Sequence, residues 1–213
     1  MGTNYIILVI ILIIWCVVHS IMIDYNFMKY LERKFPTKIH YYRLFYNIFS
    51  TIFLLPVMIY AYSLPKEIYF NWEGYYVIIQ FLLIAFSMVF FITGYKNYDL
   101  SQLAGTQQIK NKTAHKSLSK SGELKTEGIL SITRHPWYTA FFIILWAREI
   151  NTTSLIINII FSIYIVAGTY LEEQKLIVEF EESYVKYQKK VSMLLPFKWI
   201  KLKFKKTKVS LDL

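Results

Sequence analysis

Charged residues vanish from this chain in long stretches. No Asp, Glu, Lys or Arg occurs from Met1 to Ile23, from Leu44 to Pro65, from Gly74 to Tyr95 or from Ile150 to Leu171. Each stretch exceeds the about 20 apolar residues with which a helix crosses the hydrocarbon core of a bilayer. A fifth, shorter stretch runs from His135 to Ala147, between Arg134 and Arg148. Arginines at helix ends reach back to the interface along their aliphatic stems, so this stretch is also read as a span. The expectation is an all-α integral membrane protein forming a single domain, 1–213. Its five spans are expected at about 4–23, 44–63, 74–95, 135–149 and 151–171.

The basic residues test that count. The segments outside the five spans hold, in chain order, 0, 5, 1, 7, 1 and 10 Lys or Arg. That places 22 of the 24 on one side, which the positive-inside rule makes cytoplasmic. The N-terminus is then outside and the C-terminus inside, and the expected setting is a bacterial inner membrane. Met1 to Tyr5 carries no positive charge, so the first stretch is expected to be a retained span and not a cleaved leader.

Composition narrows the classes. Hydrophobic residues make up 55% and charged residues 18%, against roughly 45–50% and 25% in soluble domains. A disordered chain is excluded. Cys16 is the only cysteine, which excludes a disulfide framework and a cysteine zinc site; no metal is expected. The net charge of +10 is accounted for by topology and attraction to anionic lipid, so the expected partner is the bilayer and not nucleic acid. The Lys-rich end, Lys198 to Lys208 with Trp199 and Phe204 interleaved, suits a membrane-surface segment.

Ionisable groups at membrane depth point to function, and three places qualify. His19-Ser20 ends the first span, with Tyr42-Arg43 and Tyr46-Asn47 opening the second as its natural partners. Arg134-His135-Pro136-Trp137-Tyr138 opens the fourth. Pro136 fits the first turn of a helix, Thr133 is its expected N-cap, and the helix N-terminus favours an anion. Glu172-Glu173 closes the fifth, at the end of a helix where carboxylates need a compensating cation. If the turn between spans four and five centres near Ile150, His135 lies level with about Ile165, roughly 10 Å short of Glu172 at 1.5 Å per residue. Long side chains cover much of that gap. The result is a cytoplasmic pocket with guanidinium, imidazole, carboxylates and aromatic rings. Beyond Glu173, Leu176, Ile177, Phe180, Tyr184, Tyr187 and Val191 recur at helical spacing. They predict a cytoplasmic C-terminal amphipathic helix ending before Leu194-Leu195-Pro196.

Gly128, Arg134-His135-Pro136, Tyr138, Glu172-Glu173, Leu176, Phe180, Tyr184, Tyr187, Val191 and Pro196 stand in the order and register of one family. From Gly128 to Pro196 the sequence resembles the isoprenylcysteine carboxyl methyltransferase and phospholipid methyltransferase superfamily. It departs at Glu181, where the family commonly has Gly, and it lacks the Gly-x-Gly of phospholipid N-methyltransferases. The first half is similar, more loosely, to bacterial methanethiol S-methyltransferases, through His19-Ser20, Tyr42-Arg43, Tyr46-Asn47, Ser50, Asp99 and Leu103-x-Gly105-x-x-Gln108.

The resemblance implies methyl transfer from S-adenosyl-L-methionine to a small or lipophilic acceptor. A thiol comes first, with an isoprenylcysteine carboxylate or a lipid as alternatives. It implies a cofactor-binding half at about 97–200 and a cofactor site of Arg134, His135, Tyr138, Glu172, Glu173, Tyr184 and Tyr187. Arg134 and His135 are its catalytic pair, with His135 the nearest proton acceptor should the methyl acceptor need one. The readings from other classes are a non-catalytic membrane scaffold and a transporter subunit. Against the latter, no inverted repeat or paired broken helices occur.

Overall fold

A computed structural model describes residues 2–113 and 123–211. Lys116 and Lys120 of the basic connection, the side chains of Lys205, Lys206 and Lys208, and the terminal Leu213 lie outside the described residues. Among the described residues, four helices are long and apolar enough to cross a membrane: α1 (Gly2–Ile23), α3 (Tyr42–Ser63), α4 (Tyr76–Tyr95) and α8 (Thr152–Lys190). The chain is an integral membrane protein. Shorter helices are α2 (Tyr25–Lys34), α5 (Leu100–Ala104), α6 (Thr106–Asn111), α7 (Pro136–Trp146) and α9 (Phe197–Leu211). At 11 residues, α7 is about 16 Å long, half of a hydrocarbon core. Two short strands that the apolar pattern did not predict, β1 (Ile68–Phe70) and β2 (Ile150–Asn151), pair antiparallel.

Two compact units form. The first comprises 2–71, 98–113 and 149–161 among the described residues. Its core is Leu8 and Leu12 of α1, Val57 and Ala61 of α3, Leu64, and Ile157 of α8. Asp24 caps α2 by accepting from the backbone N–H groups of Asn26 and Phe27 at 2.9 and 3.0 Å. Asp99 caps α5 the same way. Gly105 ends α5 at φ 92°, and a Cβ there would lie 2.5 Å from the Leu44 backbone nitrogen. Only glycine lets the α5–α6 corner approach α3 so closely.

The second unit comprises 72–97, 123–148 and 162–211. Here α7 packs along α4 through Gln80, Ser87 and Gly94, spaced seven residues apart on one face. Gln80 Nε2 donates to the Ala147 carbonyl at 2.9 Å and Ser87 Oγ to the Ala140 carbonyl at 3.0 Å. Gly94 accepts the Trp137 indole, 2.5 Å from where a Cβ would stand. Trp72 Nε1 donates to the Arg148 carbonyl at 3.0 Å. These bonds satisfy carbonyls that a short helix leaves open in an apolar setting.

Three local expectations are corrected. First, the α7 N-cap is His135, with Pro136 as the first helical residue. The Thr133 hydroxyl instead meets Thr139 Oγ1 at 3.2 Å and the Met193 carbonyl at 3.0 Å. A parallel bridge pairs Thr133 with Ser192 and holds it there.

Second, the register of α7 against α8 differs. Trp146 Nε1 donates to Ser162 Oγ at 3.0 Å, and His135 meets Glu173 at 3.2 Å. Both pairs are eleven residues apart along their helices, so the register centres near residue 154. An extended 150–151 segment, paired with β1, displaces it from 150, and the expected shortfall between His135 and Glu173 disappears.

Third, α8 does not run straight past Glu173. Glu181 stands at φ 48°, ψ −129°, and the chain folds back on itself there. A straight helix would separate residues 173 and 188 by about 22 Å, yet Gln188 Nε2 lies 2.8 Å from Glu173 Oε2. This backbone region belongs to glycine, which gives the family's usual Gly at this position its physical reason.

Candidate functional site

Glu173 is the hub of the second unit. It stands on α8 just past the charge-free stretch that ends at Leu171, and its side chain is 5% exposed. Arg134, on the approach to α7, donates to it through both edges: Nε to Oε1 at 2.6 Å and Nη2 to Oε2 at 2.9 Å. His135 Nε2 donates to Oε1 at 3.2 Å, Tyr184 OH to Oε1 at 3.3 Å and Gln188 Nε2 to Oε2 at 2.8 Å. Arg134 Nη1 spends its hydrogens on the Gln188 carbonyl at 3.1 Å and on the Val191 carbonyl.

Burial pushes the Glu173 carboxyl up. The hydrogen bonds from His135 and Arg134, the Arg134 charge and the Gln188 hydrogen bond outweigh it and hold the carboxyl at about 2. It is therefore a carboxylate, which only accepts, so the His135 Nε2 facing it bears a hydrogen. Burial, with the Glu173 charge, raises Tyr184 above the usual phenol range; burial also raises Tyr187.

The backbone fixes these side chains. Arg134 N–H donates to the Ser192 carbonyl at 3.0 Å and His135 N–H to the Met193 carbonyl at 3.2 Å. Thr139 Oγ1 meets the His135 and Leu194 carbonyls, both at 3.0 Å. Segment 192–194 is thus strapped beside 133–139, and α9 starts just beyond it. A cavity of about 540 Å³ opens next to Arg134. Phe142, Val166, Leu195, Phe197 and Lys198 are among the residues lining it.

The expected site residues fall in three positions. Arg134, His135, Glu173 and Tyr184 come together in one hydrogen-bonded cluster. Tyr187 is buried in the apolar group behind it and donates to the Leu130 carbonyl at 2.5 Å. Tyr138 is 37% exposed and stacks on His135, ring centres 5.7 Å apart. Glu172 is half-buried and is not part of the cluster. Sequence reasoning missed Gln188 and Thr139, placed Thr133 only as an N-cap, and read Lys198 only as part of a Lys-rich end. Gln188 had a signal: it is the polar residue on the apolar stripe of Tyr184, Tyr187 and Val191.

The first unit holds a second polar group. The Tyr46 hydroxyl and His19 Nε2 lie 2.7 Å apart, and His19 stacks on Trp15 at 4.7 Å. Arg43 Nε and Asn47 Nδ2 both donate to the Leu103 carbonyl, at 3.1 and 2.8 Å. Arg43, Tyr46, Asn47 and Ser50 form one stripe on α3, the spacing of a single helix face.

A family model described as NnrU protein matches residues 7–187. The chain belongs to the NnrU family. This NnrU-family chain is similar to the methanethiol S-methyltransferase of Crocosphaera subtropica, 27% identical over 186 residues, 86% of this chain and 71% of the relative. It is 42% identical to the enzyme of that name from Pseudomonas deceptionensis over 76 residues, 35% of this chain. It is 34% identical to methanethiol S-methyltransferase 1 of Bradyrhizobium diazoefficiens over 98 residues, 46% of this chain. It spans only 29% and 34% of the length of these last two. No solved structure matches it. The isoprenylcysteine methyltransferase-like resemblance, in its methanethiol S-methyltransferase-like branch, is upheld.

Proposed function

We propose that this NnrU-family chain is a membrane-embedded methyltransferase that uses S-adenosyl-L-methionine and methylates a small or lipophilic acceptor, a thiol first. The observation that carries the proposal is the cluster on Glu173, built from the Arg-His-Pro and Glu-Glu motifs and set beside an open cavity. The similarity to methanethiol S-methyltransferases supports the acceptor class.

The residues fit the cofactor in part. The cavity volume is in the range of small-molecule sites, about 300–1,000 Å³, and Phe142 and Phe197 offer apolar rings at its wall. Glu173 does not fit as the receiver of the cofactor's ammonium, because five donors already occupy its oxygens. It acts instead by holding Arg134 and His135 in place. Glu172 and Tyr138 are the expected residues with exposure left for a ligand, while Tyr184 and Tyr187 brace the cluster from behind.

S-adenosylmethionine supplies an electrophilic methyl group when bound. The protein aligns the acceptor and excludes water. His135, with Nε2 committed to Glu173, has Nδ1 left for an acceptor that must lose a proton. A thiol ionises by itself near pH 8.5 and needs little such help.

In the membrane, α1, α3, α4 and the 152–171 part of α8 cross fully and α7 completes a five-span arrangement with the N-terminus outside. The C-terminal segment and the site then face the cytoplasm of a bacterial inner membrane, as the basic residues favour. The whole chain, 1–213, serves as one membrane domain, with the cofactor in the half at about 97–200. The test is product analysis after incubation of purified protein with methyl-labelled S-adenosylmethionine and three acceptors: methanethiol, an S-prenylcysteine and a phosphatidylethanolamine. Labelled dimethyl sulfide is expected, at a rate rising between about pH 6.5 and 8.5 as thiolate accumulates. Label in the prenylcysteine alone would replace the thiol reading, and label in none would end the methyltransferase reading.

A further inference from the structure

The charges around the cavity do not cancel. Arg134 lines it, but its guanidinium is neutralised from behind by the bidentate Glu173 pair. Among the described residues, no Asp or Glu lines the cavity. Lys198 lines it too, and among the described residues its ammonium has no carboxylate partner. Lys198 Nζ donates to the Gln188 carbonyl at 2.7 Å and the Lys189 carbonyl at 3.2 Å. Those two bonds hold the ammonium at the cavity wall and leave one of its three N–H groups unspent. The same Gln188 carbonyl accepts from Arg134, so the two cations are tied to one backbone atom.

The helix that carries Lys198 adds to the field. Phe197 and Lys198 are the first residues of α9, 15 residues long, and both line the cavity. A helix N-terminus carries partial positive charge. The Lys198 backbone N–H is held by Ser192 Oγ at 3.0 Å, which ties the start of α9 to the strap beside Arg134. The rest of the lining is largely apolar: Phe142, Val166 and Leu195. A cavity with apolar walls and one uncompensated cation at a helix start favours a ligand that presents an anionic group at that end.

We infer that Lys198 is the anion anchor of this cavity and holds the carboxylate of its ligand, a specificity-determining contact within the proposed methyltransferase site. It deepens that reading and rests on it. The carboxylate could come from the amino-acid part of the methyl donor or from a lipophilic carboxylate acceptor. The chemistry at Lys198 is the same for both.

Two ligand pairs separate the sources, read by equilibrium binding to the detergent-solubilised full chain. One pair is S-adenosylhomocysteine and 5′-methylthioadenosine, which keeps the nucleoside thioether and lacks the carboxylate. The other is octanoate and octanol. A lost charge-assisted hydrogen bond corresponds to about ten- to a hundredfold in affinity. Lys198→Gln should weaken one carboxylate ligand by that factor and leave its neutral counterpart unchanged, and Lys198→Arg should bind nearly as the wild type does. The unchanged neutral ligand shows that the cavity has kept its shape.

Equal affinity of the wild type and Lys198→Gln for both carboxylates overturns the inference. So does a parallel loss for the neutral ligands, or a wild type that binds neither carboxylate. Lys198-dependent octanoate binding without any binding of the nucleosides upholds the anchor and refutes the methyl-donor reading, so the two fail separately.

Discussion

The two units differ in how completely their buried polar side chains are partnered. In the second, every strong donor around Glu173 has found an acceptor, and Arg134 spends charge and hydrogens within the protein. In the first, Ser50 Oγ and the side-chain oxygens of Gln102 and Gln108 are buried with no hydrogen-bond partner among the described residues. A satisfied network is rigid and fails badly when one member is lost, because the partner left behind is a buried charge. An unsatisfied one has little to lose at the unpartnered atoms. The units should therefore answer similar substitutions with effects of different size.

The largest effect is expected at Glu173. Removing one partner of a buried ion pair costs about 3–5 kcal/mol, so Glu173→Gln should lower the thermal unfolding midpoint in detergent sharply. Arg134→Met/Glu173→Leu should recover much of the loss. Glu172→Gln, outside the cluster, should leave the midpoint where it was. If the double variant is no better than the singles, the pair is not the organising contact. pH reports the same thing. Glu173 is held at about 2 in the fold against about 4.3 when free. A depressed folded value stabilises the protein above about pH 4.3, and that contribution is lost as the pH falls through about 2. Acid titration of stability should show this loss in the wild type and a smaller one in Glu173→Gln.

Next comes Gly105→Ala in the first unit. Alanine would carry a φ of 92° and a Cβ 2.5 Å from backbone, worth about 1–3 kcal/mol of destabilisation. A neutral result would mean that the α5–α6 corner is not held against α3. Glu181→Gly should go the other way. It relieves a backbone position of glycine type and stabilises by about 1 kcal/mol, seen as a higher midpoint. A lower midpoint would mean that the fold-back at Glu181 is not the native conformation. The smallest effect belongs to Ser50→Ala. Deleting the Ser50 hydroxyl should change stability by less than about 0.5 kcal/mol or raise it slightly, whereas Thr139→Ala, which removes a buried hydroxyl shared between the His135 and Leu194 carbonyls at 3.0 Å, should cost more.

The sequence was most legible where a single residue property decides the outcome. Long absences of charge marked α1, α3, α4 and the apolar part of α8. Arg134, His135 and Glu173 were picked out because ionisable groups beside a bilayer need each other. The His19–Tyr46 contact followed from the same logic. What the sequence hid depended on backbone direction. The fold-back at Glu181 looks like a helix interior in a helical pattern, since Leu176, Phe180, Tyr184 and Val191 keep their spacing on both sides of it. The register of α7 on α8 depended on a two-residue strand that no hydrophobic pattern marks. Lys198 was read only as one lysine in a basic tail, because nothing local says that 192–194 straps it to Arg134.

Whether the Glu173 cluster and the cavity beside it form a methyl-donor site is decided by a structure of the protein with S-adenosylhomocysteine. The nucleoside is expected in the cavity lined by Arg134, Phe142 and Phe197, with the Arg134–Glu173 pair intact and the ligand's carboxylate at Lys198. Ligand bound anywhere else at saturating concentration, or bound with Arg134 drawn away from Glu173 to the ligand, would overturn the methyl-donor reading.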